Sequence, residues 1–264
     1  MSEKITHEIY NNTVKIDFYP ESHKYKLQGE RTYLISCTAC TGMIDKSRFL
    51  IPWAVGLAGQ FLREYLEKSS GNQFTSEELL PLIDEACRQH TIRKEEAASI
   101  GSQVHEFAEQ FAKAKIEGSE MPKIDPDSDE KVINGINAFL DWITTHKVKF
   151  HSSEKLVYSQ KHGFVGIADA IAEVDGKKVL IDYKTGKGIY NEAYLQVSGY
   201  MLAYEEEFSE ELDGAIILHF NKETGEFTAH HISREDHLKN IPAFLACYEL
   251  KKRDKELTNQ NYGK

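Results

Sequence analysis

Two apolar runs, at 164–174 and 178–184, flank the dipeptide Asp175-Gly176. Asp-Gly between such runs favours a two-residue type I′ turn, so a β-hairpin is the expected structure. A turn of that length places Asp169 directly opposite Asp182, with their side chains on one face and Cβ atoms roughly 5 Å apart. Facing carboxylates destabilise a strand pair unless something neutralises them. Aspartate is also a poor strand former, yet both acids sit inside apolar strands, Ile167-Ala-Asp-Ala-Ile171 and Leu180-Ile-Asp-Tyr183. A divalent cation bound by both would account for them. Lys184, two residues beyond Asp182, returns to the same face. Two acids, a metal and an ammonium suit phosphodiester hydrolysis: the metal holds the phosphate, and the lysine places water or stabilises developing charge.

Patterning around the hairpin predicts an α/β (α+β) chain with helices packed on a central mixed, mostly antiparallel sheet. A β-hairpin is expected over 13–35, turning at Gln28-Gly29-Glu30, and a short helix over 38–45. A helix is expected from Pro52 to Lys68 with the proline near its first position. Thr75-Ser-Glu-Glu78 reads as a capping box opening a helix that reaches about Glu117, with a possible break near 90–94. Ser128 is expected to cap a helix to about His146. Strands are expected at 150–159, 164–174 and 178–184, then a helix at 191–207. Strands near 214–220 and at 227–232 and a helix over about 233–253 complete the pattern. Residues 1–98 are expected to form an N-terminal hairpin and helical lobe packed on the core, 99–255 the core, and 256–264 a frayed tail. In sequence, the helices before residue 100 are placed to roof a cleft in that core.

Further candidates follow from spacing. Gly101, His105, Ala108 and Ala112 share one helical stripe in which His105 is the only large member, so its imidazole can reach toward the sheet. A connection centred between Lys161 and His162 would set Glu154 opposite Asp169, making a row of three acids; an ordinary edge-strand acid is the equally weighted alternative. Gln196 and Tyr200 are neighbours on one helix face just after the second acidic strand. Gln196 could orient Lys184, a water or a phosphate, while Tyr200 could contact phosphate or stack on a base. The loop Lys184-Thr-Gly-Lys-Gly188 lacks the P-loop order, but Thr185, Lys187 and its glycines can offer amides and charge to a nucleic-acid backbone. Cys37-Thr-Ala-Cys40 suggests a metal site, yet only Cys247 follows the core, so no iron–sulfur cluster is expected.

Composition narrows the class. The formal net charge of −10 argues against a protein that coats DNA, which would normally be basic. It leaves room for a nuclease whose cleft is locally basic or metal-filled. No apolar stretch approaches a membrane span, and the opening MSEKITHEIY has neither secretory nor transit character. A cytoplasmic location, bacterial or that of a phage-infected cell, is the default.

Gly166-Ile-Ala-Asp169, twelve residues, then Asp182-Tyr-Lys184 resembles the metal-binding hairpin of the PD-(D/E)XK nuclease superfamily. Gln196-x-x-x-Tyr200 and Gly101-x-x-x-His105 resemble motifs of its RecB-like exonuclease branch. Ala168, where proline often stands, is the visible departure. The resemblance implies a restriction-endonuclease-like core in which Asp169, Asp182, the Tyr183 carbonyl and His105 hold one or two Mg²⁺ or Mn²⁺ ions. It implies water attack leaving a 5′-phosphate, with Lys184 and Gln196 assisting; Glu154 joins the catalytic candidates through its register alone. The expected activity is metal-dependent deoxyribonuclease action, most plainly exonuclease action on single-stranded DNA ends during replication, recombination or repair, as in phage modules. Its expected partners are DNA, chiefly single-stranded ends, and replication or recombination proteins. A structure-specific or restriction-type endonuclease is the rival enzyme, and a non-catalytic nucleic-acid- or protein-binding module the rival from another class. Retention of the acids together with Lys184, His105 and Gln196 disfavours the latter.

Overall fold

The computed structural model describes residues 4–262. Its strands are β1 (Ile5–Ile9), β2 (Val14–Tyr19), β3 (Lys24–Leu27), β4 (Ile35–Ser36), β5 (Val148–Tyr158), β6 (Phe164–Val174), β7 (Lys177–Lys184), β8 (Gly214–Asn221) and β9 (Glu226–Ser233). Its helices are α1 (Cys37–Thr41), α2 (Ser47–Lys68), α3 (Ser76–Glu117), α4 (Glu130–Thr145), α5 (Asn191–Phe208) and α6 (Arg234–Tyr262). The chain divides into two compact units: residues 1–44 with 103–264, and residues 45–102.

In the larger unit, β1–β2–β3 form an antiparallel sheet. Its inward residues Ile9, Val14, Ile16, Phe18 and Tyr25 bury against Leu156, Tyr158 and Val165 of β5 and β6. That shared apolar cluster is why residues 1–44 group with the core, and it redraws the expected 1–98 lobe. The second sheet is mixed, with order β4-β6-β7-β8-β9 and β5 on the other edge of β6. Pairings β4–β6 and β7–β8 are parallel and the rest antiparallel. One face carries Leu180, Ile217, Val197, Tyr200, Met201 and Phe244, joining the sheet to α1, α5 and α6. On the other, the Phe139 ring meets Phe111, Tyr183 and Phe220 edge-to-face. Phe139 and Trp142 are fully buried, each worth about 1.5–3 kcal/mol relative to exposure. Here α3 and α4 approach closely, since a Cβ on Gly135 would stand 2.6 Å from Val104 Cγ2.

The smaller unit holds α2 and the start of α3. The capping box forms, with Glu78 N–H donating to Thr75 Oγ1 at 3.3 Å and Thr75 N–H to Glu78 Oε2 at 2.8 Å. Leu82 and Ala86 are buried, whereas α2 buries none of its residues.

Several boundaries differ from expectation. The first hairpin pairs Ile16 with Leu27 and Phe18 with Tyr25. It therefore turns at Pro20–His23, where the fixed proline φ starts a 3-10 turn and His23 takes a left-handed conformation (φ 50°). Pro52 lies inside α2 rather than at its start. No break interrupts α3. Asp129, not Ser128, caps α4 by accepting from Lys131 N–H at 2.8 Å. The expected frayed tail continues α6 to Tyr262; residues 263–264 lie outside the described residues.

Candidate active site

The β6–β7 register is the one a two-residue Asp175-Gly176 turn demands, with Val174 opposite Lys177 and Ala170 opposite Ile181. The ladder ends at that last pair. On the same edge of β6, β4 occupies Phe164 and Val165. Residues 166–169 therefore face a fork between two strands. At its mouth the Asp169 carboxylate takes the place of a main-chain acceptor: Tyr183 N–H donates to Asp169 Oδ2 at 2.5 Å.

Asp182 comes from the opposite side of the fork and is almost wholly buried. Burial pushes its carboxyl up; Asp169 adds to the shift, while Lys184 and His105 oppose it. Lys184 Nζ lies 2.6 Å from Asp182 Oδ2. Burial pulls the Lys184 ammonium down, but Asp182 and Asp169 outweigh that and raise it on balance. This charge-assisted contact gives the buried Asp182 Oδ2 the Lys184 ammonium as its partner, and no other is present among the described residues. Such an atom is costly unless a cation or donor completes it. His105 Nδ1 lies 3.9 Å from Asp169 Oδ2, and its ring meets Tyr183 edge-to-face with centroids 5.8 Å apart. Buried Ala108 on the next turn of α3 lets the helix lie close.

Glu154 enters the row at the expected height, because Ser153 pairs with Ala170 and Lys155 with Ala168. Its own φ is 48°, a left-handed conformation unusual for a side-chain-bearing residue in a strand. Such outliers cost on the order of 1–3 kcal/mol and gather at functional sites. Burial pushes the Glu154 carboxyl up to about 8, helped by Asp169 and Glu109 and opposed by Lys113. A neutral Glu154 lets a third acid stand in the row at neutral pH.

Among the described residues, no three or more of His, Cys, Asp and Glu are drawn onto a common ion-sized point. The donor chemistry nevertheless fits a hard divalent cation: two strand carboxylates, an adjacent main-chain carbonyl and one imidazole. The repulsion between Asp169 and the buried Asp182, which one ammonium offsets only in part, supports that fit.

Other sequence candidates are placed differently. Gln196 Nε2 donates to Tyr200 OH at 2.6 Å and to Thr38 Oγ1 at 3.2 Å, so its amide N–H is engaged away from Lys184. The Tyr200 ring is buried and fills the space over Gly166, where an added Cβ would stand 2.3 Å from Cε1. It therefore has no free face on which a base could stack. Lys187 is exposed and Thr185 half-buried in the loop after β7. That loop is held by a residue the motif reading missed: His219 Nε2–H donates to the Gly186 carbonyl at 2.7 Å. His219 is level with Lys184 through the parallel β7–β8 register. Glu109 was missed although it stands four residues after His105 on the same helix; Lys113 is ion-paired with it. Thr38 had no local signal, being 158 residues from Gln196. Cys37 and Cys40 are buried in the core against which distant Cys247 packs.

Comparison with known proteins places this geometry in context. The model of the PD-(D/E)XK nuclease superfamily matches residues 73–256. No curated protein matches the chain. Among solved structures, LHK-Exo in complex with dAMP has 13% identity and a TM-score of 0.34, over 62% of this chain and 90% of that one. A structure described as an alkaline exonuclease (LHK-Exo) from Laribacter hongkongensis has 14% identity and a TM-score of 0.28, over 61% of this chain and 93% of that one.

Proposed function

Because the chain belongs to the PD-(D/E)XK nuclease superfamily, we propose that it is a deoxyribonuclease dependent on Mg²⁺ or Mn²⁺ that digests single-stranded DNA from an end. One observation carries the catalytic reading: Lys184, Asp182 and Asp169 meet at a fork in the sheet, two carboxylates against one ammonium. A divalent ion held by Asp169, Asp182, the Tyr183 carbonyl and His105 would supply charge against the phosphate and acidify a water. Lys184 keeps its proton and stabilises negative charge growing on the phosphate. Glu154, neutral below about pH 8, can hold a proton for the leaving oxygen and limits repulsion of the incoming phosphate. Tyr200 and Thr38 orient the Gln196 amide. Thr185 and exposed Lys187 offer contacts to the strand.

The preference for ends rests on charge. A formal net charge of −10 disfavours tight binding of a long duplex over a broad surface. Affinity must come from local groups that grip one strand. Replication, recombination or repair in a bacterial or phage-infected cytoplasm would supply such ends. Among the described residues, no helix is long and apolar enough to cross a membrane.

The test uses end-labelled linear and closed circular single strands with Mg²⁺, Mn²⁺ or EDTA. The linear strand should be consumed to short products carrying 5′-phosphates, the circle should survive, and EDTA should stop the reaction. Nicking of the circle at the same enzyme level would replace the reading with an endonuclease.

A further inference from the structure

A cleft of about 300 Å³ lies between the segment preceding β4 and the C-terminal half of α6. Its lining includes Thr32, Tyr33, Gly163, Tyr248, Lys252 and Lys255. No motif drew attention to it. Tyr33 is 43% exposed, and its ring meets Tyr19 edge-to-face with centroids 6.0 Å apart. Lys255 Nζ donates to the Tyr33 carbonyl at 2.8 Å and so fixes that segment to α6. An ammonium has three donors, so this bond leaves two for a ligand. Lys24 Nζ stands 5.1 Å from the centre of the Tyr33 ring and brings a third ammonium to the rim. The one acid in the lining, Glu256, is answered by Arg253 at 2.9 Å. In a chain of net charge −10, this site gathers three ammonium groups beside an exposed ring, against one acid that is already ion-paired. Cations for phosphates and a ring for a base are what a single strand requires.

Position supports that occupant. Gly163, in the lining, immediately precedes β6, and Asp169 lies five residues beyond Phe164 on that strand, about 17 Å along it. The segment forming the other wall runs through β4 into α1, whose Thr38 touches Gln196. Cleft and acids thus stand at two ends of the same short elements.

We propose that this cleft is an accessory site for single-stranded DNA, holding the strand a few nucleotides from the scissile phosphate, with Lys252 and Lys255 on phosphates and Tyr33 against a base. The assignment rests on the nuclease reading for its substrate class.

Binding in EDTA separates the two claims, because it needs no turnover. Anisotropy of a labelled single strand of about 20 nucleotides, against one of about 4, is measured with the full chain and with Lys252→Glu, Lys252→Glu/Lys255→Glu and Tyr33→Ala. The double variant should bind the long strand about tenfold more weakly, with a salt slope shallower by roughly one to two. Hydrolysis of the short strand with Mn²⁺ should stay within about twofold of the parent protein. Lys252→Glu alone should move the same way by a smaller factor, which keeps the test open if loss of the Lys255–Tyr33 bond loosens the fold. Unchanged affinity and salt slope in every variant would overturn the site, as would equal losses on duplex and single strand. Binding through these lysines by a parent protein that cleaves no DNA would instead refute the nuclease reading and leave the cleft standing.

Discussion

Replacing Asp182 by asparagine removes a buried charge while keeping its shape. Asp169 repels that charge and Lys184 attracts it, and burial penalises it most. Folding stability in EDTA should therefore hold within about 1 kcal/mol or rise, while turnover falls on the order of 10²-fold or more. Normal turnover by the purified variant would remove Asp182 from the chemistry. Glu154 makes a separate statement through pH. Its folded carboxyl is raised to about 8 from an ordinary 4.5, so between those values the folded state binds more protons than the unfolded chain. Stability from this group is complete below about pH 4.5 and is lost as pH rises through about 8. Urea midpoints without metal should decline across that window, by on the order of 2 kcal/mol after allowance for the group's partial exposure. Glu154→Gln should flatten the decline, and a wild-type profile in that variant would contradict the assignment.

At the scale of elements, the fork depends on what fills it. A methyl group on Gly166 would drive into the Tyr200 ring, and that ring is buried. Gly166→Ala should cost about 1–3 kcal/mol by overpacking and lower kcat further by shifting the Tyr200–Gln196 pair. A urea midpoint and kcat both equal to wild type would show that the ring can move freely. The hairpin itself was legible because Asp175-Gly176 sets the turn, and a turn of known length fixes every cross-strand neighbour. Glu154 was placed by the same arithmetic. Its left-handed φ was invisible, because no residue pattern distinguishes a strained strand position from an ordinary one. The two residues of β4 carry too little pattern to reveal a parallel pairing with Phe164 and Val165. Without that pairing the fork, and the contact from Thr38 to Gln196, were out of reach. The first hairpin differs for a local reason: both turns form, Gln28-Gly29 with Glu30 N–H on the Leu27 carbonyl and an unexpected one at Pro20 that pairs β2 with β3.

At the scale of the whole molecule, a bound ion should appear as stability. A ligand at about a hundred times its dissociation constant adds roughly 2.7 kcal/mol, enough to raise the thermal midpoint of a chain this size by about 5 °C or more. Mn²⁺ or Mg²⁺ added to EDTA-stripped protein should produce that rise, and Asp182→Asn should lose most of it. Equal shifts in both proteins would place the ion elsewhere.

The grouping of residues 1–44 with 103–264 has a consequence for biosynthesis. Strands β1 to β3 have apolar partners on β5 and β6, more than a hundred residues later in the chain. At common elongation rates that interval lasts on the order of ten seconds. During it Ile16, Phe18 and Tyr25 lack the β5 and β6 side chains that complete their cover. Closing so large a loop makes this a high-contact-order core, and a nascent chain stalled before β6 presents sticky strands to chaperones rather than a finished first domain.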